Sequence, residues 1–315
     1  MNLKSIGSLA LLAATLIACD RNRVQVSDTG LKYQMHDDDE GTRLAKVGDI
    51  LTLHLTLKNS KDSVLRDTHK ENVPMKYVLQ APMFKGSFEE GLAMLSKGDS
   101  ATFFVSADSI FSKNMQPLPP GVAKGSDIAF TVKLLEVQNE EEYTKAQASA
   151  REKQKVVDEK VLVDYVTKNG LNAQKTASGV RYVITQPGTG PAPARGDMVK
   201  VKYTGKLLNG KEFDSSAKDP RSAAGVEFPL GMGQVIPGWE EGIMQMRKGG
   251  KGTLIIPSVM AYGADGVPGA IPPNSVILFD VELVDVQKGA GLRQMQQMQQ
   301  QQMQQQQQQA PQGGN

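Results

Sequence analysis

A single cysteine, Cys19, stands among 315 residues, so the chain can close no internal disulfide. Histidine is nearly as scarce. His36, His54 and His69 all fall in the first quarter, and their spacing matches no metal motif. Beyond residue 69 there is neither His nor Cys, which removes Ser/His/Asp triads and Cys/His pairs from most of the chain. Charge of one sign is also lacking. Lys and Arg total 36 against 34 Asp and Glu, a formal net charge of +2, and no basic run points to nucleic acid. No glycine-rich phosphate loop follows a strand pattern. The acidic cluster Asp37-Asp38-Asp39-Glu40 lacks the alternating ligand spacing of a calcium loop. Neither cofactor nor metal is expected. The apolar stretch Ile6–Ala18 is too short to span a bilayer as a mature helix.

That stretch reads instead as export machinery. Lys4 supplies a positive start, and the apolar run ends in Leu16-Ile17-Ala18-Cys19, which resembles the lipobox of bacterial lipoprotein precursors. Residues 1–18 are therefore expected to be a signal peptide and Cys19 a lipidated N-terminus, since a lone cysteine at this place suits acylation better than cross-linking. Buried acyl chains contribute about 0.8 kcal/mol per CH₂, enough when multiply attached to hold a protein on a membrane. The expected location is the cell envelope, anchored to the inner or outer membrane, facing the periplasm or exposed at the surface. A soluble exported protein with an incidental cysteine is the competing reading.

The rest of the chain repeats itself. Thr29-Gly30-Leu31-Lys32-Tyr33 matches Ser178-Gly179-Val180-Arg181-Tyr182, and Val47-Gly48-Asp49 matches Arg195-Gly196-Asp197. Gly86-Ser87-Phe88-Glu89-Glu90-Gly91 matches Pro237-Gly238-Trp239-Glu240-Glu241-Gly242, and Ile128–Val132 matches Ile277–Val281. The offset is about 150 residues throughout, as expected of two tandem copies of one domain. In the second copy Val199, Val201 and Tyr203 alternate with polar residues, a half-buried strand. Asn209-Gly210 signals a hairpin, and Trp239, Ile243 and Met246 recur at helical spacing. Ile277, Phe279, Val281 and Leu283 share one face of a last strand. This grammar predicts an α+β fold: an antiparallel sheet curled over a short helix, twice.

Residues 139–170 predict a helical linker. Asn139 is an N-cap with Glu142 in capping-box position, Lys168-Asn169-Gly170 is a stop, and about 28 residues give roughly 42 Å. Val157, Val161 and Tyr165 form a stripe able to pack on a domain or a partner, although a plain spacer is the simpler expectation. The expected domains are 27–138 and 171–288. Residues 289–315, rich in Gln and Met, are expected to be a disordered tail.

The second copy also writes out an apolar slot in the segments YTGKLLNGKEFDSS, VIPGWEEG, AYG and PPNSVILFDVEL. It offers Tyr203, Phe213, Asp214, Val235, Ile236, Trp239, Tyr262 and Phe279, and no covalent catalyst. In order and spacing these motifs resemble the FKBP-type peptidyl-prolyl cis-trans isomerase family, from about Gly179 to Val286. The resemblance implies an isomerase acting on proline-containing unfolded polypeptides, with macrolides as inhibitors. It implies Trp239 as the floor under a proline ring, with Tyr203, Phe213 and Phe279 as walls beside Val235. It further implies the Ile236 amide and Tyr262 hydroxyl as donors to a carbonyl, and Asp214 as an orienting acid. The chain departs from the family at Gln234, where a Glu is common, in a longer loop over Ser216–Val226 carrying Arg221, and at the small Val267 and Ala270. In the first copy Leu55 replaces Tyr203, Leu65 replaces Phe213, Phe88 replaces Trp239 and Phe111 replaces Tyr262. Arg66, or Asp67 with a one-residue gap, replaces Asp214 there, while Phe130 keeps the place of Phe279. That copy is expected to fold without isomerase activity. A non-catalytic chaperone using the same slot is the alternative function, and a purely structural envelope lipoprotein a third.

Overall fold

The computed structural model describes residues 23–38, 43–71, 73–113 and 116–309. Cys19 with the signal segment, Asp39 and Glu40, and residues 310–315 lie outside them. The chain divides into two compact units, residues 1–146 and 147–315.

The first unit runs β1 (Gln25–Val26), β2 (Lys32–Asp37), β3 (Ile50–Lys58), β4 (Val64–Asp67), α1 (Thr68–Glu71), β5 (Met75–Val78), α2 (Phe88–Leu92), β6 (Ser100–Ser106), α3 (Ala107–Lys113) and β7 (Asp127–Gln138). The helix α4 (Glu140–Lys168) begins in this unit and continues into the second. There β8 (Gln174–Lys175), β9 (Arg181–Gln186), β10 (Met198–Leu207), β11 (Glu212–Ser215), β12 (Val226–Pro229), α5 (Pro237–Ile243), β13 (Lys251–Ile256), β14 (Ile277–Gln287) and α6 (Ala290–Gln309) follow.

Both units build the same all-antiparallel sheet. Its order is β1-β2-β6-β7-β3-β4 with β5 also on β3, and correspondingly β8-β9-β13-β14-β10-β11 with β12 on β10. The sheets even share a bulge, between Thr52 and Leu53 in one and Lys200 and Val201 in the other. The alternation in the sequence places one face of each strand in the core. Leu51, Leu53, Phe103 and Leu134 fill the first core, and Val199, Val201, Leu254, Ile277 and Leu283 the second. A short helix closes each core, and a glycine permits its close approach. A Cβ on Gly91 would lie 2.5 Å from the Phe103 ring, and one on Gly242 2.7 Å from Leu254. This is the α+β fold expected, present twice.

The linker helix carries the expected capping box: Asn139 N–H donates to Glu142 at 2.9 Å and Glu142 N–H to Asn139 Oδ1 at 2.8 Å. It stops at Gly170, whose φ of 61° suits glycine. Its buried face keeps two residues of the predicted stripe, Val161 and Tyr165, but not the third. Val157 is 54% exposed, whereas Asp158 and Leu162 are each 1% exposed. Leu162 packs with Ile255, Val276 and Leu278 on the back of the second sheet, joined by Val161, Tyr165 and Val166. Positions four apart drift around a helix, and the true seam includes an aspartate that an apolar pattern cannot reveal. The plain-spacer expectation is therefore replaced for this half of the helix by a docked one. The Gln/Met-rich segment, expected to be disordered, is helical over Ala290–Gln309. Its start is held by Leu292, which lies against Gly196 and donates its N–H to the Gly196 carbonyl.

Candidate active site

Strands β10, β11, β12 and β14 and the start of α5 enclose a cavity of 680 Å³ in the second unit. It is lined by Tyr203, Asp214, Val226, Glu227, Phe228, Gln234, Val235, Ile236, Trp239, Tyr262 and Phe279. Seven of the eight residues predicted from the sequence thus converge. Phe213 is not among the lining residues and meets Phe279 edge-on, with centroids 5.6 Å apart and planes at 88°. Phe228, not one of the eight, also belongs to the lining.

Trp239 is the floor. It starts α5 behind Pro237, is 5% exposed, and has Phe279 and Tyr203 edge-on at 5.0 and 4.9 Å. Phe228 is tilted against it at 5.8 Å. Such edge-to-face pairs contribute about 0.5–1.5 kcal/mol each beyond area burial, so the walls are rigid. Its indole N–H has no hydrogen-bond partner among the described residues.

Polar groups are few and lie at the rim. Tyr203 Oη donates to Asp214 Oδ2 at 2.6 Å, while Asp214 Oδ1 accepts from the Ser215 N–H at 2.8 Å. Burial, followed by the bond to Asp214 and its charge, holds the Tyr203 phenol well above the ordinary value. Burial and the Asp214 charge raise Tyr262 in the same sense. Neither the Tyr262 hydroxyl nor the Ile236 amide donates a hydrogen bond among the described residues, although the Ile236 carbonyl accepts from Trp239 N–H at 2.9 Å. Arg221 is bound to Asp219, with a closest approach of 2.7 Å, and its side chain is 90% exposed. A second depression of 390 Å³ adjoins the slot at Tyr203 and is lined further by Thr204, Thr253 and Asp280.

Sequence reasoning missed Gly205. A Cβ there would lie 2.6 Å from Phe213 and 2.8 Å from Phe279, so glycine makes room for both rings. The register shows what the first unit has instead. Gly205 pairs with both Asp214 and Phe279, and Leu57 pairs with both Arg66 and Phe130. Arg66, not Asp67, therefore occupies the position of Asp214, and a leucine occupies that of Gly205. Phe88 lies stacked on Phe130 at 4.7 Å, in place of the edge-on pair of the second unit. Tyr77 turns its hydroxyl to Glu89, and burial with that neighbour pushes its phenol up to about 12. Phe111 packs with Ala107, Val122 and Ile128.

Each unit is a curled antiparallel sheet over one short helix, and in the second an aromatic-lined slot that includes neither His nor Cys lies at their junction. The family model for FKBP-type peptidyl-prolyl cis-trans isomerase matches residues 41–135 and 190–284, together more than half of the chain. The chain belongs to the FKBP-type peptidyl-prolyl cis-trans isomerase family, with two copies of its domain. Among relatives, it is 43% identical over 151 residues to the isomerase FkpA of Aeromonas hydrophila, covering 47% of this chain and 53% of that protein. It is 49% identical over 107 residues to FK506-binding protein 4 of Dictyostelium discoideum, covering 34% of this chain and 28% of that one. The crystal structure of FkpA from Escherichia coli is similar with a TM-score of 0.37 and 40% identity, over 47% of this chain and 67% of that chain. The chain thus spans less than two thirds of the length of these curated relatives.

Proposed function

We propose that the second unit catalyses rotation about peptide bonds preceding proline in unfolded polypeptides, without covalent chemistry. The observation that carries this reading is the buried Trp239 in the slot's aromatic lining beside two unengaged donors, the Ile236 amide and the Tyr262 hydroxyl. Resonance puts a barrier of about 18–20 kcal/mol on prolyl rotation. Twisting breaks the resonance and reduces the charge separation between oxygen and nitrogen. An apolar slot therefore favours the twisted state over the planar one, relative to water. A gain of about 10⁵ requires roughly 7 kcal/mol of such differential stabilisation. The proline ring sits on Trp239, the flanking carbonyl accepts from Ile236, and Asp214 keeps the Tyr203 phenol turned along the wall. Macrolides large enough to cover the same slot are its inhibitors.

The clients are exported chains, a reading supported by the lipobox-like segment ending at Cys19, whose lipidation would anchor the protein in the cell envelope. No helix among the described residues is long and apolar enough to cross a membrane. The deciding experiment adds the full chain to a protein whose refolding is limited by prolyl isomerisation. Acceleration that saturates with substrate is expected, and a refolding rate equal to the uncatalysed one would refute the reading.

A further inference from the structure

The segment that carries Tyr262 is not held by its own domain alone. Strand β13 ends at Ile256, and Pro257 then occupies the N-cap position of a 3₁₀ turn over Ser258–Met260. Proline has no side-chain oxygen, so it cannot satisfy the amides that open a helical turn. Here Ser258 is fully buried, and an unpaired amide beside it would be costly. The missing cap comes from α4. Asp158 Oδ2 accepts from Ser258 Oγ at 2.8 Å and from the Val259 N–H at 3.2 Å, while Oδ1 accepts from Gln154 at 2.8 Å. At 1% exposure a carboxylate is tolerated only with such bonds. Arg151, one helical turn before Gln154, donates to the Val259 carbonyl at 3.3 Å.

Above this cap the chain closes around Tyr262. The amides of Ala261 and Gly263 both donate to the Ser258 carbonyl, at 3.0 and 2.9 Å. The residue gripped by Asp158 thus holds the backbone on either side of the tyrosine. The first unit does otherwise. The pairings of β6 and β13 align Ala107 with Ser258, and the helix there is capped locally by Ser106 Oγ, which accepts from the Ser109 N–H at 3.3 Å. A local cap has been exchanged for one supplied 100 residues upstream, in the unit whose loop lines an open slot.

We propose that Asp158 is a positioning residue for Tyr262: from within the connecting helix it caps the turn that aims this tyrosine at the slot, which makes the C-terminal half of α4 a working part of the active site. The inference rests on the isomerase reading. It is tested in the full chain with Asp158→Ala, Asp158→Asn, Tyr262→Phe and the double variant Asp158→Ala/Tyr262→Phe. The readouts are kcat/KM on a proline-limited substrate and amide exchange over 258–263. Asp158→Ala and Tyr262→Phe should each lower kcat/KM about tenfold. Residues that act as one unit are non-additive, so the double variant should fall no further than Tyr262→Phe. Asp158→Asn keeps an acceptor oxygen and should restore most of the rate. In Asp158→Ala the amides of Val259, Ala261 and Gly263 should exchange faster, while those of α5 do not change. If Asp158→Ala does not fold, Ser258→Ala replaces it, with the same non-additivity required. Losses that add, or a folded Asp158→Ala of wild-type rate, would overturn the inference while the isomerase reading stands. A wild type without isomerase activity would instead sink that reading and the catalytic role with it, and the exchange data would then report the cap alone.

Discussion

Asp214 is the residue that best separates catalysis from folding. It is exposed and is held by the Tyr203 hydroxyl and the Ser215 N–H, whereas Trp239 is both floor and core, so truncating the tryptophan would lose both at once. Asp214→Ala should lower the isomerase rate about tenfold, through loss of the orientation it gives Tyr203. It should change unfolding free energy by no more than about 2 kcal/mol, the value of its two hydrogen bonds at an exposed position. Matched kcat/KM and denaturant-midpoint measurements decide this, and equal losses in both would contradict the assigned role. The pH profile follows from the same side chains. Burial and Asp214 raise the Tyr203 phenol above its ordinary 10.0. For a neutral acid with a raised folded value, the stabilisation is complete below the unfolded pKa and lost as pH rises through the folded one. No His or Cys lies in the slot, so the rate should be flat from about pH 6 to 9. A bell-shaped profile in that window would point to a titrating group that this site does not contain.

At the scale of elements, α4 was the least legible from sequence. Its ends were readable because caps are local: Asn139, Glu142 and Gly170 act within a few residues of themselves. Its docked face was not, because the seam mixes Leu162 with Asp158, and the aspartate is buried only by virtue of partners 100 residues away. Leu162→Ala should therefore destabilise the second unit by about 2–5 kcal/mol, as for any fully buried leucine. Trp239 is the only tryptophan in the chain, so its fluorescence during denaturation reports this unit alone. An unchanged midpoint would mean that the helix is a spacer after all. The hairpin at Asn209-Gly210 needed no such context. Gly210 adopts φ 84°, and the strands on either side pair as the turn residues imply.

For the whole molecule, two units with the same strand order differ in the residues at the slot positions, Arg66 and Leu57 standing where Asp214 and Gly205 do. Residues 27–138, purified alone, should unfold cooperatively, given a core of leucines with Phe103, and should not accelerate proline-limited refolding. Activity equal to that of the second unit would undo the site assignment in both. Cys19→Ser should move the protein from the detergent phase to the aqueous phase in a partitioning experiment, and identical partitioning of both forms would remove the lipid anchor. The amino-acid sequence by itself determined the repeat, the α+β class and the aromatic set around Trp239. These are recorded as periodic burial and as short motifs, both properties of neighbouring residues. Only the tertiary structure decided that Arg66 stands where Asp214 does, that Leu57 stands where Gly205 makes room for two rings, that Phe213 meets Phe279 edge-on, and that Asp158 caps the Tyr262 turn. Each of these depends on strand register or on a contact between distant elements. Such contacts leave no period in the chain, because a residue's own sequence neighbours do not determine which residues it meets.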